Sequence, residues 1–242
     1  ANIPCFIVAG SHDYSVSGKT FLDVLEKAGF CKNVENFEER ENENGEKNIF
    51  LNPTVYNGVA IYGYPGKKSS LEIPDLRRVR LNDAPGLFKI LMFHTTLDKA
   101  KGTLPIDSIE SDLLPKADYY ALGHLHIDFQ YQNFVYPGPV FPNNFQELED
   151  LGCGSFYIVD TNGNSKISLK KIELKLKEVL SITIQIRNAL ISTEQIISEL
   201  NQRDLEDKIV LLRLKGEIEQ GGNSDIKFPQ IEEHAKSKGV YF

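Results

Sequence analysis

Residues 117–126 read Ala117-Asp118-Tyr119-Tyr120-Ala121-Leu122-Gly123-His124-Leu125-His126. The part before Gly123 is short, apolar at its centre and bounded by glycine. That predicts a buried strand handing two histidines to the loop beyond it. The arrangement recurs. Residues 87–93 (LFKILMF) predict a buried strand ending on His94, and residues 3–9 predict one that runs through Gly10-Ser11 to His12. Four of the five histidines therefore follow apolar strands, where open α/β sheets carry their sites, and a buried strand is a rigid base for a ligand. Imidazole nitrogens suit manganese, iron, zinc or nickel. His124 and His126, two apart on extended backbone, are expected on one face, close to one metal cluster. A single strand-end histidine is more often a hydrogen-bonded surface residue; four together point to a metal site. His234, among Glu and Lys in a predicted helix, reads as an ordinary surface residue.

Working outward, Phe21, Val24, Leu25 and Ala28 have helical spacing, with Ser17 as a cap and Gly29 as a stop. Residues 35–46 hold six glutamates and no aliphatic residue, which predicts a solvated acidic loop. Asn57-Gly58 between apolar residues predicts a hairpin. Edge-like strands are expected around Asp128–Tyr131 and 133–136, and further strands over 155–160 and 166–176, separated by a turn at 161–164. After these the pattern changes: a strand at 180–186, a helix from Ser192 to about Asn201 opened by a capping box, a strand at 208–214 and a helix at 228–238. The break is placed at 176/177.

Hydrophobic residues make up 41% of the 242 and charged residues 25%, an ordinary globular composition. No apolar run reaches the roughly 20 residues of a membrane-spanning helix, and no signal-peptide pattern opens the chain. Cys5, Cys31 and Cys153 are odd in number and widely spaced, which fits neither a disulfide framework nor a zinc knuckle and suits a reducing cytoplasm. The formal charge of −7 falls entirely on residues 1–150, while 151–242 balance. Bulk phosphate attraction would need a basic face. Any nucleic acid must instead be met by metal ions or by a partner's basic surface.

Gly10-Ser11-His12-Asp13, Phe93-His94 and Gly123-His124-Leu125-His126 resemble the later motifs of the calcineurin-like metallophosphoesterases. Tyr136-Pro137-Gly138-Pro139 and the strand Gly154–Asp160 narrow the likeness to the double-strand-break repair nucleases, bacterial SbcD and its archaeal and eukaryotic counterparts of the meiotic-recombination-eleven type. The run Asp118–His124 is similar to the archaeal members. This resemblance implies an α/β fold: a metallophosphoesterase β-sandwich flanked by helices in αββα layers (residues 1–176), then a small α+β capping domain that contacts DNA (177–242). It implies two divalent metal ions, manganese by preference, with His94 and His124 as ligands of one and His126 of the other. His12 would be the catalytic histidine beside the transferred phosphate, oriented by Asp13. It also implies DNA as substrate, an SbcC-type ABC ATPase as partner, a homodimer, and a cytoplasmic, nucleoid-associated setting. Lys170, Lys171, Lys175 and Lys177 are candidates for the DNA-facing surface.

Two departures matter. Ser11 stands where the family has a metal-binding asparagine, and the Asp-x-His and Gly-Asp motifs that complete the site have no counterpart here. Both ends fall within apparent strands, so the expectation is a piece of a longer nuclease, inactive alone. Two other readings stay open: a metallophosphoesterase acting on small phosphodiesters or phosphoproteins, and a catalytically degenerate scaffold subunit.

Overall fold

The computed structural model describes residues 3–14, 20–41, 43–161 and 167–241. Its central feature is a six-stranded sheet built from β5 (Thr54–Tyr56), β6 (Val59–Tyr64), β8 (Phe88–Thr95), β9 (Tyr119–His124), β10 (Asp128–Tyr131) and β11 (Phe134–Pro137), in the order β10-β11-β9-β8-β6-β5. The middle strands β6, β8, β9 and β11 are parallel neighbours. Along β8, fully buried Leu91, Phe93 and Thr95 alternate with partly buried residues, so one face is packed more completely than the other. Leu91, Phe93, Leu122, Tyr62 and Tyr136 are buried there, each aliphatic or Phe side chain contributing about 1.5–3 kcal/mol. The Asn57-Gly58 hairpin joins β5 to β6 as its chemistry predicts, with both residues at positive φ. β11 is not an edge strand: it lies between β10 and β9.

Before the sheet, β1 (Phe6–Ile7) pairs in parallel with β2 (Lys32–Asn33) around α1 (Phe21–Lys27). The cap of α1 is Thr20, whose hydroxyl accepts from the Asp23 N–H; Ser17 lies outside the described residues. The acidic stretch is a strand rather than a loop. β3 (Phe37–Glu41) pairs antiparallel with β4 (Lys47–Leu51), and β4 pairs with β7 (Val79–Leu81), which follows α2 (Glu72–Leu76). Ile49 and Leu51 are buried and supply the hydrophobic anchor that the glutamates do not. Beyond the sheet come α3 (Phe145–Leu151) and the paired strands β12 (Gly154–Thr161) and β13 (Ile167–Leu174). The expected turn lies mostly outside the described residues.

The remaining elements are β14 (Glu178–Gln185), α4 (Ser192–Asn201), β15 (Lys208–Lys215) and α5 (Phe228–Ser237). β14 and β15 are parallel along their whole length, joined through α4, and Ile182, Ile184, Ile196, Leu200 and Ile231 form their core. Ser192 opens α4 without capping it: Ile191 is the cap residue, and the Ser192 hydroxyl donates to the Asn188 carbonyl.

The fold is thus mixed α/β, in two compact units. One comprises Ala1–Gly138 with Phe156–Ile172, the other Pro139–Ser155 with Glu173–Phe242. The division differs from a single break at 176/177 because 139–155 goes with the second unit. The reason is α3: Glu149 pairs with Arg213 at 2.6 Å, and the Arg213 guanidinium stacks over Phe145.

Candidate metal centre

His94 and Thr95 end β8, and the parallel register places them opposite Gly123 and His124 at the end of β9. His124 Nδ1 and His94 Nε2 are 3.2 Å apart. Two ligands of one cation, with bonds of about 2.1 Å at angles between octahedral and tetrahedral, stand roughly 3.0–3.4 Å apart. The pair therefore fits as two corners of one coordination shell.

Glycines make room for the His94 ring. A β-carbon on Gly66 would meet His94 Cδ2 at 2.4 Å, and one on Gly10 would meet Cε1 at 2.9 Å. His94 also lines a cleft of about 350 Å³, together with Val8, Met92 and Gly123. Burial, and then the charge of His124, pushes His94 down to about 4 despite the opposing charge of Asp13. His124 is also lowered, by burial first, with Glu72 acting against it. Desolvation disfavours the imidazolium, so both rings are held as neutral imidazoles, the form that binds a metal.

The backbone turns at His124, which has φ 95°, an uncommon conformation for a non-glycine residue. The extended alternation that would set His124 and His126 on one face therefore stops at Gly123. His126 is exposed in the loop beyond; its charge lowers both His94 and His124, as does that of His12. Among the described residues, no group of three or more His, Cys, Asp or Glu converges closely enough to hold a metal. The structure thus brings His94 and His124 together, with His12 and His126 in their electrostatic surroundings.

His12 is exposed on the turn that follows β1, while Ser11 is buried. Asp13 folds back so that its carboxylate accepts from the Gly10 N–H at 2.6 Å, which fixes the turn presenting His12. His234 bonds Asn201 on α4, the ordinary surface role expected of it. Lys171 pairs with Asp128, Lys177 pairs with Asp207, and Lys170 and Lys175 are exposed.

Three supporting roles escaped the sequence reading. Glu72 is 2% exposed; it accepts from the Thr95 hydroxyl and from the Lys67 N–H, both at 3.1 Å. Tyr136 donates to the Thr95 carbonyl and accepts from the Leu97 N–H, holding the exit of β8. The third is Gly66. No spacing rule singles out a lone glutamate in a five-residue helix or a glycine whose need is a contact made far along the chain.

No family model matches the chain. A DNA double-strand break repair protein Mre11 from Methanocaldococcus jannaschii is 30% identical over 198 residues, covering 76% of this chain and 50% of the relative. The chain spans about half the length of the curated relative it matches. No helix among the described residues is long and apolar enough to cross a membrane. The chain, a mixed α/β fold with a strand-end histidine pair, is thus similar over 198 residues to a protein of DNA double-strand break repair.

Proposed function

We propose that this chain forms part of a DNA double-strand-break repair nuclease that hydrolyses phosphodiester bonds with two divalent cations, manganese the metal assigned. The observation that carries the reading is the His94–His124 pair, 3.2 Å apart, at the C-terminal ends of two parallel strands, where α/β sheets gather their sites. The likeness to an archaeal repair protein supports the substrate class.

In this reading His94 and His124 hold one cation and His126 contributes to the other. When bound, two such cations supply charge neutralisation and activation of water at the phosphodiester. The protein's own part is positional: glycine contacts fix the His94 ring, Glu72 and Tyr136 fix the strand exit, and burial keeps both imidazoles neutral. His12, exposed on a turn braced by Asp13, serves as the acid that gives a proton to the leaving oxygen. The remaining carboxylate ligands correspond to Asp-x-His and Gly-Asp motifs that this sequence does not contain, so hydrolysis by the chain alone is not expected.

We assign residues 1–176 to an αββα-layered nuclease domain, with 139–155 packed in the unit of the capping domain, 177–242, that contacts DNA. We further assign an SbcC-type ABC ATPase as partner, a cytoplasmic setting and a homodimeric state. The last is supported by α1, whose Phe21, Val24 and Leu25 are 85%, 62% and 42% exposed.

The test is manganese titration of the chain by calorimetry, with His94→Ala and His124→Ala beside it, followed by nuclease assay of the longer parent protein carrying the same changes. Binding lost in both variants, with cleavage lost in the parent, is expected. Binding unchanged in both would overturn the site. Cation binding without DNA cleavage by the parent would favour the scaffold reading, and cleavage confined to small phosphodiesters the other enzyme reading.

A further inference from the structure

Cys5 and Cys31 stand beside each other at the outer end of the β1–β2 pair. The parallel register sets Phe6 opposite Lys32, and the Lys32 N–H donates to the Cys5 carbonyl at 2.7 Å. One step back along both chains stand Cys5 and Cys31, just outside the paired residues and near enough that the charge of Cys5 acts on Cys31. Neighbouring strands lie about 4.7–4.9 Å apart, within the Cα separation of about 4.4–6.8 Å that a disulfide spans. Both residues line one open groove of about 610 Å³ with Ile3, Pro4, Phe30 and Tyr56. Both are free thiols, Cys5 exposed and Cys31 half-buried. Each precedes the first paired residue of its short strand, so closing the remaining distance strains at most the bond from the Lys32 N–H to the Cys5 carbonyl.

We propose that Cys5 and Cys31 form a redox-active dithiol that closes to an intramolecular disulfide when it meets a hydroperoxide. The Cys5 thiolate attacks the peroxide: an S–O bond forms, the O–O bond breaks, and one water leaves after protonation. Cys5 is then a sulfenic acid. The Cys31 sulfur attacks the Cys5 sulfur, the S–S bond forms, the S–O bond breaks, and the hydroxyl departs as a second water with the Cys31 proton. Two thiols lose two electrons and one hydrogen peroxide gains them.

The division of roles follows from the surroundings. Cys5 is the more open to solvent. Cys31 is pushed up by desolvation first and then by the charges of Cys5 and Glu26, which suits a resolving thiol better than an attacking one. Closure would staple β1, which leads into Gly10-Ser11-His12, to β2. Just beyond β2, Glu35 accepts from the Ala9 N–H at 2.5 Å, so the bond would brace the strand that presents His12.

The full chain, treated with hydrogen peroxide, quenched and unfolded, is assayed for free thiols beside Cys5→Ser, Cys31→Ser and Cys153→Ser. The expected result is a fall from three thiols to one, with loss of two hydrogens from the intact mass, reversed by dithiothreitol. Cys153→Ser should fall from two to none, and neither of the other variants should form an intramolecular bond. Survival of all three thiols, a bond that includes Cys153, intermolecular cross-links as the main product, or the same yield when peroxide is added to urea-unfolded chain would each overturn the assignment.

Discussion

Gly66 lies against His94 so closely that a β-carbon on it would stand 2.4 Å from Cδ2 and 3.0 Å from the His94 carbonyl oxygen. Space rather than backbone conformation demands glycine here. Gly66→Ala must displace either the ring or the loop, and the strain of overpacking costs about 1–3 kcal/mol. Manganese affinity is expected to fall by about tenfold or more, the usual effect of disturbing the support of a ligand. Calorimetry, with urea unfolding as a control, measures both. Unchanged affinity would mean that the ring position does not matter to the cation.

Glu72 has the opposite problem, a buried carboxyl group with its partners in place. Glu72→Ala leaves the Thr95 hydroxyl and the Lys67 N–H without their acceptor, at about 1–3 kcal/mol each. Glu72→Gln keeps one acceptor oxygen, so its loss of stability should be smaller. Equal destabilisation of the two variants by urea titration would contradict the bonding described.

His94 gives a pH dependence whose sign is fixed. Its folded value of about 4 lies below the ordinary 6.5, so the unfolded chain binds the proton more readily between those values. The stabilising contribution of a neutral His94 is therefore complete above about pH 6.5 and is lost as pH falls towards 4. Imidazole Cε1–H resonances of the metal-free chain should show one histidine titrating near 4. In His94→Asn, part of the stability change between pH 6.5 and 4 should vanish. A midpoint near 6.5 for His94 would refute the shift.

The apolar side of α1 is open to water, and none of its residues is buried. Val24→Asp should thus change monomer stability by no more than about 0.5 kcal/mol while abolishing a dimer built on this face. Light scattering after gel filtration is expected to give twice the chain mass for the wild type and the chain mass for the variant. A monomeric wild type at tens of micromolar would remove the dimer.

Where local chemistry decided the outcome, the sequence was readable. Asn57-Gly58 names its turn, and the apolar runs in 87–93 and 117–122 lie in interior strands, as expected. The residues that failed did so for non-local reasons. Residues 37–41 carry Phe37, packed on Tyr64, as their one apolar residue and become a strand with the help of Ile49 and Leu51 across the hairpin. His124 departs from extended geometry at the last residue of its strand, and no periodicity registers a single φ. Gly66 and Glu72 earn their places through His94 and Thr95, more than twenty residues away. The pairing of His94 with His124 follows from the register between β8 and β9, which two apolar strands suggest but do not number.

The excursion of 139–155 into the second unit has a consequence for taking the molecule apart. The polypeptide passes between the two units three times, after Gly138, after Ser155 and after Ile172. A nick at any single crossing leaves two covalent tethers intact. Removal of everything after 176 would take Arg213 from Phe145 and Glu149, uncovering more of a partly open ring and leaving the carboxylate without that ion pair. A faithful dissection must transplant the 139–155 segment along with the carboxyl-terminal unit, through a joint that the natural chain does not possess.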